Sequence, residues 1–202
     1  RDQPRSRGLG DVYKRQEVMK GFWKEMENLN VDDNPYRAGF LQLVCVSETD
    51  EKAEEEYGEH VDYFYKKCLH VYEGFSEAPG YRTIKTIKAG NTRQIGSRAS
   101  QARKELTWQD YKDEGYIIAG SPKTVVTELR KAAEGLRVGH LMVLLQIGSM
   151  PKDLTMKNTE LFASQVMPHV QDMWSEYEDH WGPQPIENRQ VPGESVSDGV
   201  IP

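Results

Sequence analysis

At 202 residues and a formal net charge of −6, the chain has no global attraction for nucleic acid or for an anionic membrane surface. No apolar run approaches the roughly 20 residues that a membrane-spanning helix needs. Hydrophobic residues make up 37% and charged residues 29%, a lean interior for one complete domain and better matched to long solvated helices or to part of a larger domain.

Residues 1–16 are expected to be a non-native or disordered leader. The run PRSRGLGDVYKRQ, residues 4–16, shows no helix or strand periodicity and resembles the translation of a sequencing-library adapter, which leads us to expect a gene that continues upstream. The folded part is expected over residues 17–182. Residues 17–29 space Val18, Phe22, Met26 and Leu29 as one apolar helix face, and Asn34-Pro35 breaks that helix. Residues 38–46, AGFLQLVCV, are apolar at nearly every position, the pattern of a parallel strand buried on both faces. Thr49 or Asp50 caps the next helix, which is expected to run to about Val71 with Ala53, Tyr57, Val61 and Phe64 or Tyr65 along one side.

Residues 76–104 are irregular and basic; a loop of this length in a compact domain is either functional or simply solvated. Residues 107–114 read as a short helix capped by Thr107, and residues 116–119 as a short strand. Gly120-Ser121-Pro122 then starts a helix sharply, with serine at the cap and proline at the first helical position. Val125, Leu129, Ala133 and Leu136 form its buried face, and Gly135 and Gly139 bracket its exit. Residues 141–147, LMVLLQI, are the third strand. A helix over residues 154–177 is expected to kink at Pro168, and the Pro-, Gly- and Ser-rich residues 183–202 read as a disordered tail. Strand and helix alternate three times, which predicts parallel strands with right-handed crossovers and leaves an open sheet and a barrel segment as alternatives.

Two stretches carry a family likeness. YIIAGSPKTVVTELRKAAEGLRVGHLMVLLQIGSM, residues 116–150, and TMKNTELFASQVMPHV, residues 155–170, together resemble the last two strand–helix units of luciferase-like, flavin-dependent monooxygenases. The matching residues are Gly120, Ser121 and Pro122, then Gly148, then Leu161 with Phe162, then Val166, Met167 and Pro168; VSETDEKAEEE, residues 46–56, fits the unit before them. The resemblance implies an α/β fold that is the carboxy-terminal portion of a (β/α)8 TIM-type barrel, roughly units six to eight, with its ligands at the carboxy ends of the strands. It implies reduced FMN from a separate flavin reductase, O2 and a small organic substrate. Some relatives use a deazaflavin for hydride transfer, and others act as non-catalytic partner subunits, so a homo- or heterodimer is expected of the whole protein.

On this reading Gly120, Ser121, Gln146 and Gly148 are the cofactor-binding candidates. Ser121 precedes the positive end of a helix, where phosphate can bind, or it is an ordinary cap. Gln146 either faces a flavin ring or borders the last helix. Residues 76–104 correspond to the family's lid, with Arg93, Arg98, Arg103 and Lys104 positioned to meet phosphate or an acidic substrate. No Ser-His-Asp or Cys-His constellation stands out, so no catalytic residue is assigned. Cys45 and Cys68 lack CxxC spacing and read as thiols of a reducing, cytoplasmic compartment. The histidines lack the spacing of metal ligands, so no metal site is expected.

Overall fold

A computed structural model of the chain describes residues 10–68 and 106–177. The whole lid at residues 76–104, with Arg93, Arg98, Arg103 and Lys104, and the tail at residues 183–202 lie outside the described residues. Three strands, β1 (Gly39–Val46), β2 (Ile117–Gly120) and β3 (His140–Leu144), pair in parallel in the order β2-β1-β3. Leu43 in β1 stands opposite Ile117 on one side and Leu144 on the other.

The central place of β1 accounts for its nearly unbroken apolar run. Side chains alternate across a strand, so Leu43 and Cys45, with Ile117 and Ala119, meet one helical layer. That layer is α2 (Asp50–Tyr63), through Ala53, Tyr57 and Val61, and the short α3 (Trp108–Asp113), through Tyr111. Val44, Val46 and Ile118 meet the opposite layer, which is α4 (Pro122–Leu136), through Val125 and Leu129, together with Phe162 and Val166. Helices therefore cover both faces. The α/β class and the parallel pairing agree with expectation, whereas consecutive barrel units would set the strands side by side in chain order. The order differs because the connection from β1 to β2 moves one way and α4 carries the chain back past β1. Two right-handed crossovers of opposite direction place their helices on opposite faces.

β1 and β3 part company above Leu43 and Leu144. The third strand was expected to continue to Ile147, but residues 145–147 turn away and Ile147 joins the layer of α2. Into the gap comes Asn158 from α5 (Lys152–Leu161), fully buried. Its Nδ2 donates to the Val44 and Leu145 carbonyls, each at 2.8 Å, and its Oδ1 accepts from the Val46 N–H at 2.7 Å. One carboxamide thus replaces the ladder bonds lost where the strands diverge.

Two other expectations are corrected. α1 spans Gly10–Asn28 and so starts ahead of the helix expected from residue 17. Arg15 already reaches Gln42 of β1 at 3.1 Å. The inward side of α1 runs through Met19, packed on the Ala133–Leu136–Val138 cluster, and Trp23, whose Nε1 donates to Leu136 O at 3.0 Å; Val18 and Leu29 are exposed. The helix at residues 154–177 stops early: α5 passes into a π turn (Phe162–Val166) and a 3-10 turn (Met167–His169). Pro168 offers no N–H and would clash with the carbonyl four residues back, and the wider π turn ends regular helix before that clash arises. The exit of α4 falls between Gly135 and Gly139, as expected, and passes through Arg137 in the left-handed region (φ 52°), where glycine is usual. Its guanidinium donates to Asp33 Oδ2 at 2.6 Å and Tyr177 Oη at 3.0 Å, and it lies within 6.0 Å of the Trp23, Trp174 and Tyr177 ring centres. Those contacts offset the backbone cost.

Asn158→Leu leaves one N–H and two carbonyls buried without partners, at about 1–3 kcal/mol each. The expected loss is at least about 3 kcal/mol, read as a lower urea midpoint with an unchanged m-value; a shift equivalent to under about 1 kcal/mol would show that the gap closes without Asn158. A second expectation concerns the thiols. Burial pushes the Cys45 thiol well above its usual range, whereas Cys68 is exposed, so iodoacetamide at pH 8 should modify Cys68 in the native protein and Cys45 only after denaturation.

Candidate functional site

The carboxy ends of the strands carry the four cofactor-binding candidates and most of the buried polar chemistry. Gly120 closes β2 with φ 149°, and a Cβ there would strike the Asp50 carboxylate. Ser121 caps α4: its Oγ accepts from the Thr124 N–H. The Asp50 carboxylate, projecting from the start of α2, already occupies the positive end of α4. It accepts from the Ser121 N–H at 2.6 Å and the Thr124 hydroxyl at 3.0 Å. Burial works against its charge, and these donors outweigh burial and hold its pKa below the usual carboxylate value. A phosphate at this helix end would have to displace Asp50, so Ser121 fits the cap and not a phosphate site.

Gln146 and Gly148 follow β3. The Gln146 side chain is exposed, and its Nε2 donates to Gly148 O at 3.3 Å. Gly148 has φ 58°, and a Cβ there would run into the His60 carbonyl of α2, so this glycine allows the chain after β3 to pass close over α2. The next residue, Ser149, places its Oγ 2.9 Å from His60 Nδ1. Gln146, Ser149 and His60 thus lie together as polar side chains at the end of β3, while Gly120 and Ser121 lie at the end of β2 on the far side of β1.

Between them, at the end of β1, stands an ion cluster that the sequence reading did not single out as a site. Fully buried Ser47 has its Oγ 2.9 Å from Glu48 Oε2 and 2.7 Å from Glu56 Oε2, and its single proton serves one of them at a time. Lys157, one residue before the bridging Asn158, reaches Glu48 at 3.0 Å and Glu56 at 2.6 Å. Burial disfavours the Lys157 charge, but Glu56 and Glu48 outweigh it and raise its pKa. Its own backbone N–H, then Lys157, then Ser47 hold the Glu48 carboxyl down to about 2. Neither group exchanges protons near neutrality, as a general acid or base must. The ammonium sits between two carboxylates where a bound cation would otherwise be drawn, and it locks α5 to the ends of β1 and α2. Among the described residues no group of three or more His, Cys, Asp or Glu side chains could hold a metal ion, and no helix is long and apolar enough to cross a membrane.

One signal for this cluster was present in the sequence. Leu154, Asn158 and Leu161 share a helical register, so an asparagine interrupts an apolar stripe, as expected of a polar side chain with a buried task. Ser47, Glu56, His60 and Ser149 carry no comparable signal, because only the crossing of α2 over the sheet unites them. No model of a known protein family matches the chain, and no curated protein matches it significantly.

The sign of the pH dependence follows from Glu48. A carboxyl whose folded pKa is depressed contributes its stability above the ordinary value of 4.5 and loses it as pH falls toward about 2. Lys157→Met should move the Glu48 titration, followed by carboxyl 13C NMR, up toward 4.5 and bring acid unfolding to a higher pH. An unmoved titration would show that Lys157 does not hold this carboxylate.

Proposed function

We propose that this chain forms part of a flavin-dependent monooxygenase of the luciferase-like class, in which reduced FMN and O2 oxygenate a small organic substrate at the carboxy ends of the strands. The observation that carries the reading is the bare half of the sheet. Parallel sheets are buried on both faces, yet Leu41, Met142 and Leu144 are 51%, 56% and 40% exposed. Leu41 stands opposite Met142, and Leu43 opposite Leu144, so the three form one apolar surface on the α2 side, leading up to Gln146. In the barrel that the resemblance implies, β1, β2 and β3 would be staves six to eight and this surface would face the lumen; here β1 lies between the other two, and α2 covers the upper part of the same face. α4 and the Phe162–Val166 turn lie on the opposite face, as outer helices do.

Flavin would supply the oxygen-activating chemistry, and the chain would supply position and exclusion of water. Gln146, Ser149 and His60 fit the polar edge of a flavin ring. The phosphate does not fit at Ser121, because Asp50 fills that helix end, so its contacts belong elsewhere in the whole protein. A separate reductase would deliver the reduced cofactor.

A second reading rests on the β2-β1-β3 order with helices on both faces. In an open doubly wound sheet the ligand binds where the winding reverses, outside the carboxy ends of β1 and β3. Both readings therefore point to the same end of the molecule. The test is an anaerobic titration of the chain with reduced FMN and, separately, with a reduced deazaflavin, followed by flavin fluorescence. Reduced FMN should bind, and Gln146→Ala should weaken it severalfold. Binding of the deazaflavin alone would replace oxygenation by hydride transfer. Binding of neither, by a chain that circular dichroism shows to be folded, would overturn the flavin reading in favour of a non-catalytic partner subunit.

A further inference from the structure

Beyond the end of β3 a hydroxyl and an imidazole meet from positions 89 residues apart in the chain. Ser149 Oγ lies 2.9 Å from His60 Nδ1, the contact that a nucleophile and its base require. Ser149 is exposed, and His60 is half-buried in the last turn of α2. The other hydroxyls at this end of the sheet are committed elsewhere. Ser47 is held by two carboxylates, Thr49 and Ser121 cap helices, and Thr124 donates to Asp50.

Gly148 fixes the approach. Its φ of 58° turns the chain over α2, with the His60 carbonyl where a side chain would otherwise stand. That turn delivers Ser149 to the imidazole. A serine on a sharp turn between a strand and a helix presents its hydroxyl outward, where a substrate can reach it. The imidazole has the freedom to act as the base. Nδ1 faces Ser149, and Nε2 makes no hydrogen bond with any described residue. The ring proton can therefore reside on Nε2, which leaves Nδ1 as the acceptor of the serine proton.

Two neighbouring features suit acyl chemistry. Phe64, one turn beyond His60, lies against the same Gly148 turn and is only half-buried, so it offers apolar contact to an acyl chain. α5 opens at Lys152, three residues after Ser149, and no side chain caps its first turn. Backbone N–H groups at a helix start are donors of the kind that stabilise the oxyanion of a tetrahedral intermediate.

We propose that Ser149 and His60 are a catalytic pair that takes the acyl group from an activated ester with a short apolar acyl chain. The Ser149 hydroxyl gives its proton to His60 Nδ1 as Oγ bonds to the ester carbonyl carbon. The tetrahedral intermediate expels the alcohol, which takes the proton from His60, and an acyl-serine remains. A water then gives a proton to His60 and attacks the acyl-serine. The carboxylic acid leaves, and His60 returns the proton to Ser149 Oγ. The proposal does not rest on the flavin reading, because it concerns the pair alone and requires no cofactor.

The experiment uses the full chain, free of flavin, with p-nitrophenyl butyrate as the probe. Phenolate release is followed above the rate in buffer, and protein quenched in acid is digested and mapped by mass spectrometry. The butyryl group should be found on Ser149. Ser149→Ala and His60→Gln, each shown by circular dichroism to be folded, should slow phenolate release about a hundredfold, the lower range for loss of general-base assistance. Ser149→Cys, which keeps a nucleophile beside the imidazole, should restore acylation at that position. Phenolate release that Ser149→Ala leaves unchanged overturns the proposal, as does butyryl found on lysines alone. So does a His60→Gln variant as fast as the parent, which would leave Ser149 an unassisted hydroxyl.

Discussion

Everything at the carboxy end of this sheet depends on how the parting of β1 from β3 is made good. Once Leu145 turns away, the upper part of β1 has backbone groups on that side with no strand to meet them, in a place where water cannot reach. Asn158 supplies one acceptor and two donor contacts at the needed spacing. A buried side chain with its hydrogen bonds satisfied on both strands defines a geometry; the same residue half-satisfied would be worse than an apolar one. Because Asn158 sits on α5, the helix is held in register with both strands, and that register brings its neighbour Lys157 between Glu48 and Glu56. The ion cluster is thus a consequence of the bridge.

A second fixed point lies at the amino end. Arg137, at the exit of α4, collects Asp33 from the loop before β1, Trp23 from α1, and Trp174 and Tyr177 from the segment after α5. Trp23 and Trp174 also donate to the carbonyls of Leu136 and Val138, which flank it. Three stretches outside α4 therefore converge on one left-handed residue. Both ends of the described chain are thus tied to the same corner, away from the carboxy ends of the strands, where the candidate binding residues gather.

Much of the local structure was legible in the residues themselves. Thr49, Thr107 and Ser121 cap the helices for which their sequence positions qualify them, because a short oxygen-bearing side chain before a helical run meets the free N–H groups in a purely local way. The uniform burial of Val44, Cys45 and Val46 was likewise readable from an apolar run without alternation. The errors fall where a distant partner overrides a local signal. α1 begins at Gly10 although the run from residue 4 has no periodicity, and its Arg15 and Trp23 are engaged with β1 and α4.

The residue pattern alone determined the α/β class, the parallel strands and the places where helices start, because caps, proline positions and apolar periodicity act over a few residues. Strand order was decided only in the tertiary structure, since three strand–helix units are equally compatible with strands in chain order and with β1 between the other two. The candidate sites were decided there as well. Gln146 and Gly148 could be marked from their place after an apolar run. The joining of Glu56 and Lys157 and the approach of His60 to Ser149 arise from contacts between elements tens of residues apart. Contacts of that range follow from which faces of the sheet the helices cover, and no short stretch of sequence encodes that choice.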